Sequence, residues 1–453
     1  MAALTTVVGA LLKRTYDNVV HDGLNSRDDL MGRIPKEYAG DGQEFYTVHR
    51  TNGTNSMRFQ AETSQLPLTE FQSWTNSVVT PKEWWGTLAL SVRLIMQSKT
   101  NPGAFLEGFN SEVYGFSNDV KRFMEIRLVG DGSGCMAKIT SITEATNTVI
   151  VDDIADLRKL RKGQSLEVWT ELDNDSAAVL HTYNAGGGTL LTVNTFAVGT
   201  TSFTTVEDIT TGGTIASTPT AAAGDPIVHA GARTAQTPFE PMGILGAVSD
   251  RDPPMHSGAH NSATGGLQQI LAPLDFDGST QTGEQTWAAT VFGNSGTLRP
   301  ISDKLLQQAC DAVEISSNGM VDVCIAGYGT RLEYMVGTSN IRRATNTNVT
   351  AARSGTGFSE NSKVEQFAQF GDIELIPNRY WPADKVACMT WNQHCLRFWA
   401  KHQWWDDGQI LRRSPQNKTE YQAEQFALYN YVMKERNAHS RIDDVTNNEI
   451  AVI

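Results

Sequence analysis

The chain has 453 residues, 40% hydrophobic and 19% charged, with a formal net charge of −13 and a pI near 5.2. That balance excludes a disordered polyelectrolyte, and it excludes a protein that finds nucleic acid through bulk positive charge. The length accommodates two or three domains with sizeable cores, and 39 glycines favour strands and turns over helical bundles.

Residues 1–40 read as a polar arm. Leu4, Val7, Val8, Leu11 and Leu12 make a short apolar helical pattern, followed by polar sequence punctuated at Gly23, Gly32, Pro35 and Gly40. No secretion signal precedes it, and the most apolar segment, Trp84–Met96, is too short to span a bilayer. The expectation is a soluble protein made in the cytosol, with no membrane partner.

Residues 41–98 read as an extended β loop. Glu44–Arg50 alternates, Asn52-Gly53 is a hairpin turn signal, and Met57–Ala61 is the expected returning strand, with Leu66–Thr80 irregular. Leu88, Leu90, Val92 and Leu94 alternate on one face of a further strand. A lone two-stranded ribbon cannot shield Tyr46, Met57, Phe59, Phe71 and Trp74. These five are the expected contacts with another copy of the chain.

Residues 99–134 hold the most regular pattern. Phe105, Phe109, Val113, Phe116, Val120 and Phe123 share one narrow helical stripe, with Glu107, Asn110, Asn118, Lys121, Arg122 and Glu125 on the other side or its flanks. Asn101 and Pro102 supply an N-cap and a first helical proline, and Gly130-Asp131-Gly132 supplies the stop. The spacing predicts a surface helix lying on a sheet, spanning Gly103–Val129 and roughly 40 Å long at 1.5 Å per residue.

Residues 135–233 are rich in Thr, Gly, Ala and Val. Short runs at Lys138–Ile142, Thr148–Val151, Leu166–Thr170, Val179–Tyr183 and Thr189–Val193 read as a small inserted β domain, and Thr210–Gly224 as an exposed loop. Residues 234–289 are a loop-rich connection. From 290 to 395 mixed signals return: a helix opened by Ser302 with Ile301, Leu305, Ala309 and Val313 inward, a strand at Val321–Ala326, a short helix at Gly329–Val336, and strands at Ile373–Ile376 and Val386–Met389. Residues 396–453 read as strands, with a turn at Asp406-Asp407-Gly408.

No motif carries catalysis or a cofactor. Gly130-Asp131-Gly132-Ser133-Gly134 follows a helix, where a phosphate loop must precede one, so it reads as a C-cap. His256 and His260 have a metal spacing in non-helical surroundings. His394 and Cys395 face opposite sides of a strand, so they cannot act as nucleophile and base. Asp406-Asp407 and Asp443-Asp444 read as solvated turns. Trp84-Trp85 and Trp404-Trp405 could stack on sugars, but one of each pair reads as core or interface. Cys135, Cys310, Cys324, Cys388 and Cys395 are an odd number without CxxC spacing, which implies a reducing compartment. The basic pairs Lys13-Arg14, Lys121-Arg122, Arg342-Arg343 and Arg412-Arg413 never extend into runs and read as solvated faces.

The order of elements resembles the major capsid proteins of tailed bacteriophages, the Hong Kong 97-type fold. Leu11-Leu12-Lys13-Arg14-Thr15-Tyr16 and Arg33-Ile34 resemble that family's arm, and Leu128-Val129-Gly130-Asp131-Gly132-Ser133-Gly134 its spine-helix end. Trp405-Asp406-Asp407-Gly408 and Arg436-Asn437-Ala438-His439 resemble its C-terminal strands. The resemblance implies an α+β fold with N-terminal arm (1–40), extended loop (41–98), peripheral domain (99–134 and 396–453), the inserted β domain, and an axial domain (290–395) that meets its copies at five- and six-fold centres. It implies an icosahedral shell of hexamers and pentamers around double-stranded DNA, a place in the virion after assembly in the host cytoplasm, weak contact with DNA, and portal, scaffolding and decoration proteins as partners. Some members cross-link through lysine and asparagine. Lys82 is the one lysine of the loop region, and neither its asparagine partner nor a promoting glutamate matches, so that chemistry is not carried over. The rivals are an encapsulin-like compartment and a carbohydrate-binding appendage protein.

Overall fold

The computed structural model describes residues 30–38, 45–52, 71–91, 102–169, 180–184, 187–197, 200–209, 225–234, 239–249, 289–317, 319–345, 369–370, 373–406, 412–413 and 420–447, with isolated positions between 54 and 68. Asn101, Thr210–Gly224, His256 and His260 lie outside them.

Strand β1 (Lys36–Tyr38) is followed by β2 (Phe45–Asn52) and β3 (Ser73–Val79), which form an antiparallel ribbon running from Phe45↔Val79 to Asn52↔Ser73. The returning strand is therefore Ser73–Val79 and not Met57–Ala61. Thr54 and Ser56 bond to each other locally, with the Ser56 N–H donating to the Thr54 hydroxyl at 3.3 Å. Such side-chain turns compete with a ladder, while the β-branched and aromatic run from Trp74 to Val79 favours one. Strand β4 (Lys82–Ser91) leaves the ribbon and pairs along its whole length with a C-terminal strand, burying Leu88 and Leu90.

Helix α1 (Pro102–Val129) carries the stripe expected of it, and its described members Val113, Phe116, Val120 and Phe123 are half-buried. Phe116 stacks on Trp404, with ring centroids 5.8 Å apart. The last turns depart from the expected surface helix: every residue from Met124 to Val129 is buried, Glu125 and Arg127 included, and Asn118 is too. The covering comes from Leu30, Met31 and Ile34 and from the short helix described below. A sheet on one side and these segments on the other leave no solvent face.

Strands β5 (Cys135–Thr143), β6 (Thr148–Val151), β7 (Ser165–Val168), β8 (Leu191–Phe196), β9 (Ser202–Thr205) and β10 (Pro226–His229) close into a barrel in the order β10-β5-β6-β9-β8-β7, with helix α2 (Ile154–Lys159) beside it. Its core holds Ile139, Val149, Leu157, Leu166, Leu191 and Phe203. The expected Val179–Tyr183 strand reduces to a single bridge, Trp169↔Leu180. Strands β9 and β10 and helix α2 are not among the elements expected from the sequence.

Beyond the short helix α3 (Ile244–Ala247) come β11 (Thr290–Phe292), α4 (Asp303–Ser316), β12 (Val323–Ala326), α5 (Tyr328–Thr345), β13 (Gln369–Phe370), β14 (Ile373–Pro377), β15 (Val386–Met389), β16 (His394–Trp404), β17 (Arg412–Arg413), β18 (Glu420–Met433) and β19 (Ser440–Ile442). Ser302 caps α4 by accepting from the Leu305 N–H. Helix α5 runs nine residues past its expected end at Val336, through Gly337-Thr338-Ser339-Asn340, a stretch of weak helix propensity. Two sheets result. One, labelled peripheral after the region that the resemblance implies, with the other labelled axial in the same way, has the order β1-β16-β18-β17, with β4 also on β18. The axial one has the order β11-β19-β15-β12-β14-β13. Strand β19 crosses into the axial sheet, although residues 396–453 read as wholly peripheral. Its three residues are buried, which suits an inner strand between β11 and β15.

This packing reorders the cost of mutating α1. Phe116→Ala removes a half-buried ring and should cost about 1–2 kcal/mol, whereas Leu128→Ala hollows a closed core and should cost about 3 kcal/mol or more. Denaturant unfolding of the unassembled subunit measures both, and an equal or reversed order would contradict the burial described.

Candidate assembly surface and the junction behind it

The segment after α1 is a structural junction. The Gly130 N–H donates to the Arg127 carbonyl at 3.2 Å. One oxygen of the Asp131 carboxylate accepts from the Ser133 N–H at 3.0 Å and from the Ser133 hydroxyl, a local turn that removes both from solvent. Gly132 (φ 81°) and Gly134 (φ 87°) stand in the left-handed region that favours glycine. Across from them, a Cβ on Gly243 would stand 2.1 Å from the Gly130 carbonyl oxygen, and one on Gly246 would stand 2.4 Å from that of Asp131. The backbone of α3 therefore lies directly against the end of α1. Nothing here offers a helix N-terminus to an anion.

Buried polar side chains tie the junction to the rest of the chain. Glu125 accepts from the Leu30 and Met31 N–H groups, each at 3.0 Å, and from the Asn378 side chain at 2.6 Å. The Asn430 side chain accepts from the Met242 N–H and donates to the Thr80 carbonyl. Arg436 and Arg441 donate to carbonyls of the 245–248 segment. Arg122 reaches the barrel at the Arg158 carbonyl (2.8 Å) and the axial segment at the Tyr380 hydroxyl. Asp153 caps α2 and also accepts from the Ala383 N–H at 2.8 Å. Burial, then nearby Asp156, push the Asp153 carboxyl up to about 6, against the pull of those N–H groups. Arg127 and Glu240 pair at 2.7 Å, both buried, and burial raises Glu240 above the usual carboxylate range. Of these residues the sequence places Arg122 and Glu125 on the polar side of the helix or its flanks; glycines spaced three apart at 243 and 246, beside a helix end, are the signal available for the close approach.

The residues that could have carried chemistry are held in structural roles. His394 and Cys395 are both buried on β16, and burial raises the Cys395 thiol to about 12, away from nucleophilic character. Cys324 and Cys388 face each other across β12 and β15 as buried free thiols. Asp443 and Asp444 are not solvated turns: Asp443 pairs with Arg441 at 2.7 Å, and Asp444 accepts from the Asn294 and Gly296 N–H groups. Partial burial raises Asp444, and those bonds with Lys385 and Arg299 more than offset it, leaving the carboxyl below its ordinary value. Asp406 is exposed, and Asp407 lies outside the described residues. Trp84 and Trp404 pack toward α1, while Trp85 and Trp405 join Phe426 in an exposed aromatic group with centroids 5.3–5.8 Å apart. Lys82 is half-buried and its ammonium lowered by desolvation; it lines a cavity of about 420 Å³ with Phe116, Arg127, Glu240 and Tyr429.

Of the five expected contact residues, Met57 and Phe71 are 78% and 93% exposed and Phe59 is fully so. Leu68, which sequence reading passed over, is 87% exposed as well. Tyr46 and Trp74 lie on β2 and β3, and their side chains fall outside the described residues.

No sequence family model matches the chain, and no curated protein matches it in sequence. Solved structures do. The capsid of cyanophage A-1(L) is 10% identical, covers 99% of this chain and 100% of its own, and superposes with a TM-score of 0.51. The capsid of an empty GTA particle (8% identity, 98% and 99% covered) and the SrpI encapsulin complex of Synechococcus elongatus (8%, 99% and 98%) each give a TM-score of 0.44. The fold is that of the tailed-phage major capsid proteins, and the α+β architecture read from the sequence is the one observed.

The junction makes its own forecast. Gly243→Ala has no room and should cost at least about 3 kcal/mol or leave the protein insoluble. Gly115→Ala, with open space at the Cβ and a helical backbone, should instead stabilise by roughly 0.5–1 kcal/mol. Thermal melts of the two unassembled variants test this, and a tolerated Gly243→Ala would contradict the close approach of α3 to α1.

Proposed function

We propose that this chain is a shell subunit: the major head protein of a tailed phage, closing as hexamers and pentamers around double-stranded DNA. The observation that carries the reading is the ribbon. A subunit with three buried cores nevertheless holds Met57, Phe59, Leu68 and Phe71 in water beyond the β2–β3 ladder. Isolated exposed apolar residues are ordinary, but four within fifteen positions on one loop concentrate apolar surface that a second copy could bury. A second copy can cover it, and a heterologous contact repeated by rotation closes a ring. Such a ring contact supports a role for Tyr46 and Trp74 on the same ribbon. The fold shared with a cyanophage capsid supports the same reading. The role is structural and needs no cofactor. The net charge of −13 supports only weak, sequence-independent contact with the genome. A portal, a scaffold and decoration proteins are the partners such a shell would take, assembled in the host cytoplasm and ending in the virion.

Replacing residues 53–72 with a short Gly-Ser linker keeps both ladder strands and removes the patch. Circular dichroism should show a folded subunit, while size-exclusion chromatography and negative-stain microscopy should show no shells. Complete shells from this variant would contradict the role of the loop. In shells made by the wild-type chain with its packaging partners, nuclease-protected duplex DNA is the expected content; a protein cargo instead would move the reading to an enzyme compartment.

A further inference from the structure

Two segments pass directly between the peripheral and axial sheets, residues 390–393 from β15 to β16 and residues 434–439 from β18 to β19. They are bonded to each other. The Lys434 N–H donates to the Gln393 carbonyl at 2.8 Å, and the Thr390 hydroxyl sits 2.8 and 2.9 Å from the Met320 and Ala438 carbonyls. Each crossing ends in a fully buried histidine, His394 on the first and His439 on the second, with ring centroids 5.6 Å apart.

The backbone at Thr390 sets both tautomers. Its N–H donates to His439 Nδ1 at 3.2 Å, so that nitrogen carries a lone pair and a neutral ring keeps its proton on Nε2. Its carbonyl stands 3.1 Å from His394 Nδ1, which must donate, leaving the lone pair of His394 on Nε2. A proton added to His439 would sit on Nδ1 and face the Thr390 N–H, donor against donor. A proton added to His394 would sit on Nε2, which meets no hydrogen-bond partner among the described residues. Either proton breaks or strands something.

We propose that His394 and His439 form an acid-released latch between the two sheets, closed while both rings are neutral and opened when the solution becomes acid enough to protonate them in the released state.

The surroundings agree. From β18, Tyr431 faces His394 at 5.8 Å and Lys434 adds positive charge; from the first crossing, Trp391 packs on His394 at 5.1 Å. Asp322 accepts from the Trp391 N–H, Lys434 pairs with Glu37 of β1, and Arg436 donates to the Ala247 carbonyl. Burial, with Lys434 adding to it and the Thr390 carbonyl opposing, lowers His394 to about 4. Burial, then His394, push His439 well below the ordinary imidazole range, with the Gln393 carbonyl pulling the other way.

A histidine lowered in the closed state contributes its full stability above its free value near 6.5 and loses it as the pH falls toward 4. For His394 alone, the release equilibrium shifts about thirtyfold between pH 8 and pH 5. Asp153 and Glu240 are raised in the folded state, so acid favours their folded forms and partly hides the effect in a global melt. The readout must therefore be local.

Hydrogen exchange of the full-length unassembled subunit, corrected for intrinsic rates, supplies it. Peptides over 389–396 and 431–441 should lose protection by about tenfold or more from pH 8 to pH 5. The double variant H394N/H439N offers an amide donor and an amide oxygen in place of the two Nδ1 atoms and has nothing to titrate; its exchange should change by less than about threefold. Unchanged wild-type protection at pH 5, or a variant that opens as much as wild type, would overturn the latch. Should the variant not fold, nitrogen NMR of histidine-labelled wild-type protein decides. The latch requires both rings neutral at pH 5.5, protonated on Nδ1 at 394 and on Nε2 at 439, and a ring titrating near 6.5 would overturn it.

Discussion

A helix that ends inside a core must turn at once and hide its last carbonyls, because unpaired buried carbonyls are costly. Helix α1 does both within five residues. Glycines with positive φ make the turn, Asp131 and Ser133 bond to each other, and the bare backbone of Gly243 and Gly246 lies against the exposed carbonyls. A side chain at either glycine would hold α3 away. With α3 displaced, the apolar residues of the last two turns of α1 would lose the cover they share with Leu30, Met31 and Ile34. The peripheral core, the start of the barrel at Cys135 and the course of the arm all depend on that one close approach.

Polar anchors then fix the other parts to this junction. Glu125 holds the arm and the axial segment with one carboxylate, Arg122 and Asp153 hold the barrel, and Asn430 joins the 242 segment to the root of the ribbon. A buried carboxylate that accepts three donors is worth keeping only where all three are present, so Glu125 makes separate segments interdependent. The ribbon instead carries Met57, Phe59, Leu68 and Phe71 exposed to solvent. The proposed assembly uses that contrast, with the exposed apolar side chains of the ribbon covered by a neighbouring copy.

Local signals in the sequence were strong. The spacing of Phe116, Val120 and Phe123, the Gly-Asp-Gly-Ser-Gly stop, the Ser302 cap and the strands at Thr148–Val151 and Val386–Met389 all carry their own physics. Pairing was not legible, because alternation says that a segment is a strand and not which partner it takes. Hence the return of the ribbon at Ser73 across a long loop, the pairing of β4 with β18 and the crossing of β19 were out of reach. The buried Glu125 was misplaced because a helical wheel assigns polarity, and here a second layer of chain covers the polar side. The exposure of Met57, Phe59 and Phe71 was readable for the opposite reason: nothing nearby in sequence could cover them.

The central claim is that the exposed ribbon of one subunit is covered by another within a closed shell. Electron cryo-microscopy of particles assembled from the full-length protein tests it most directly. The account predicts icosahedral shells of pentamers and hexamers in which Met57, Phe59 and Phe71 are buried beneath or against a neighbouring copy. Shells in which those side chains remain in solvent on every subunit would contradict it.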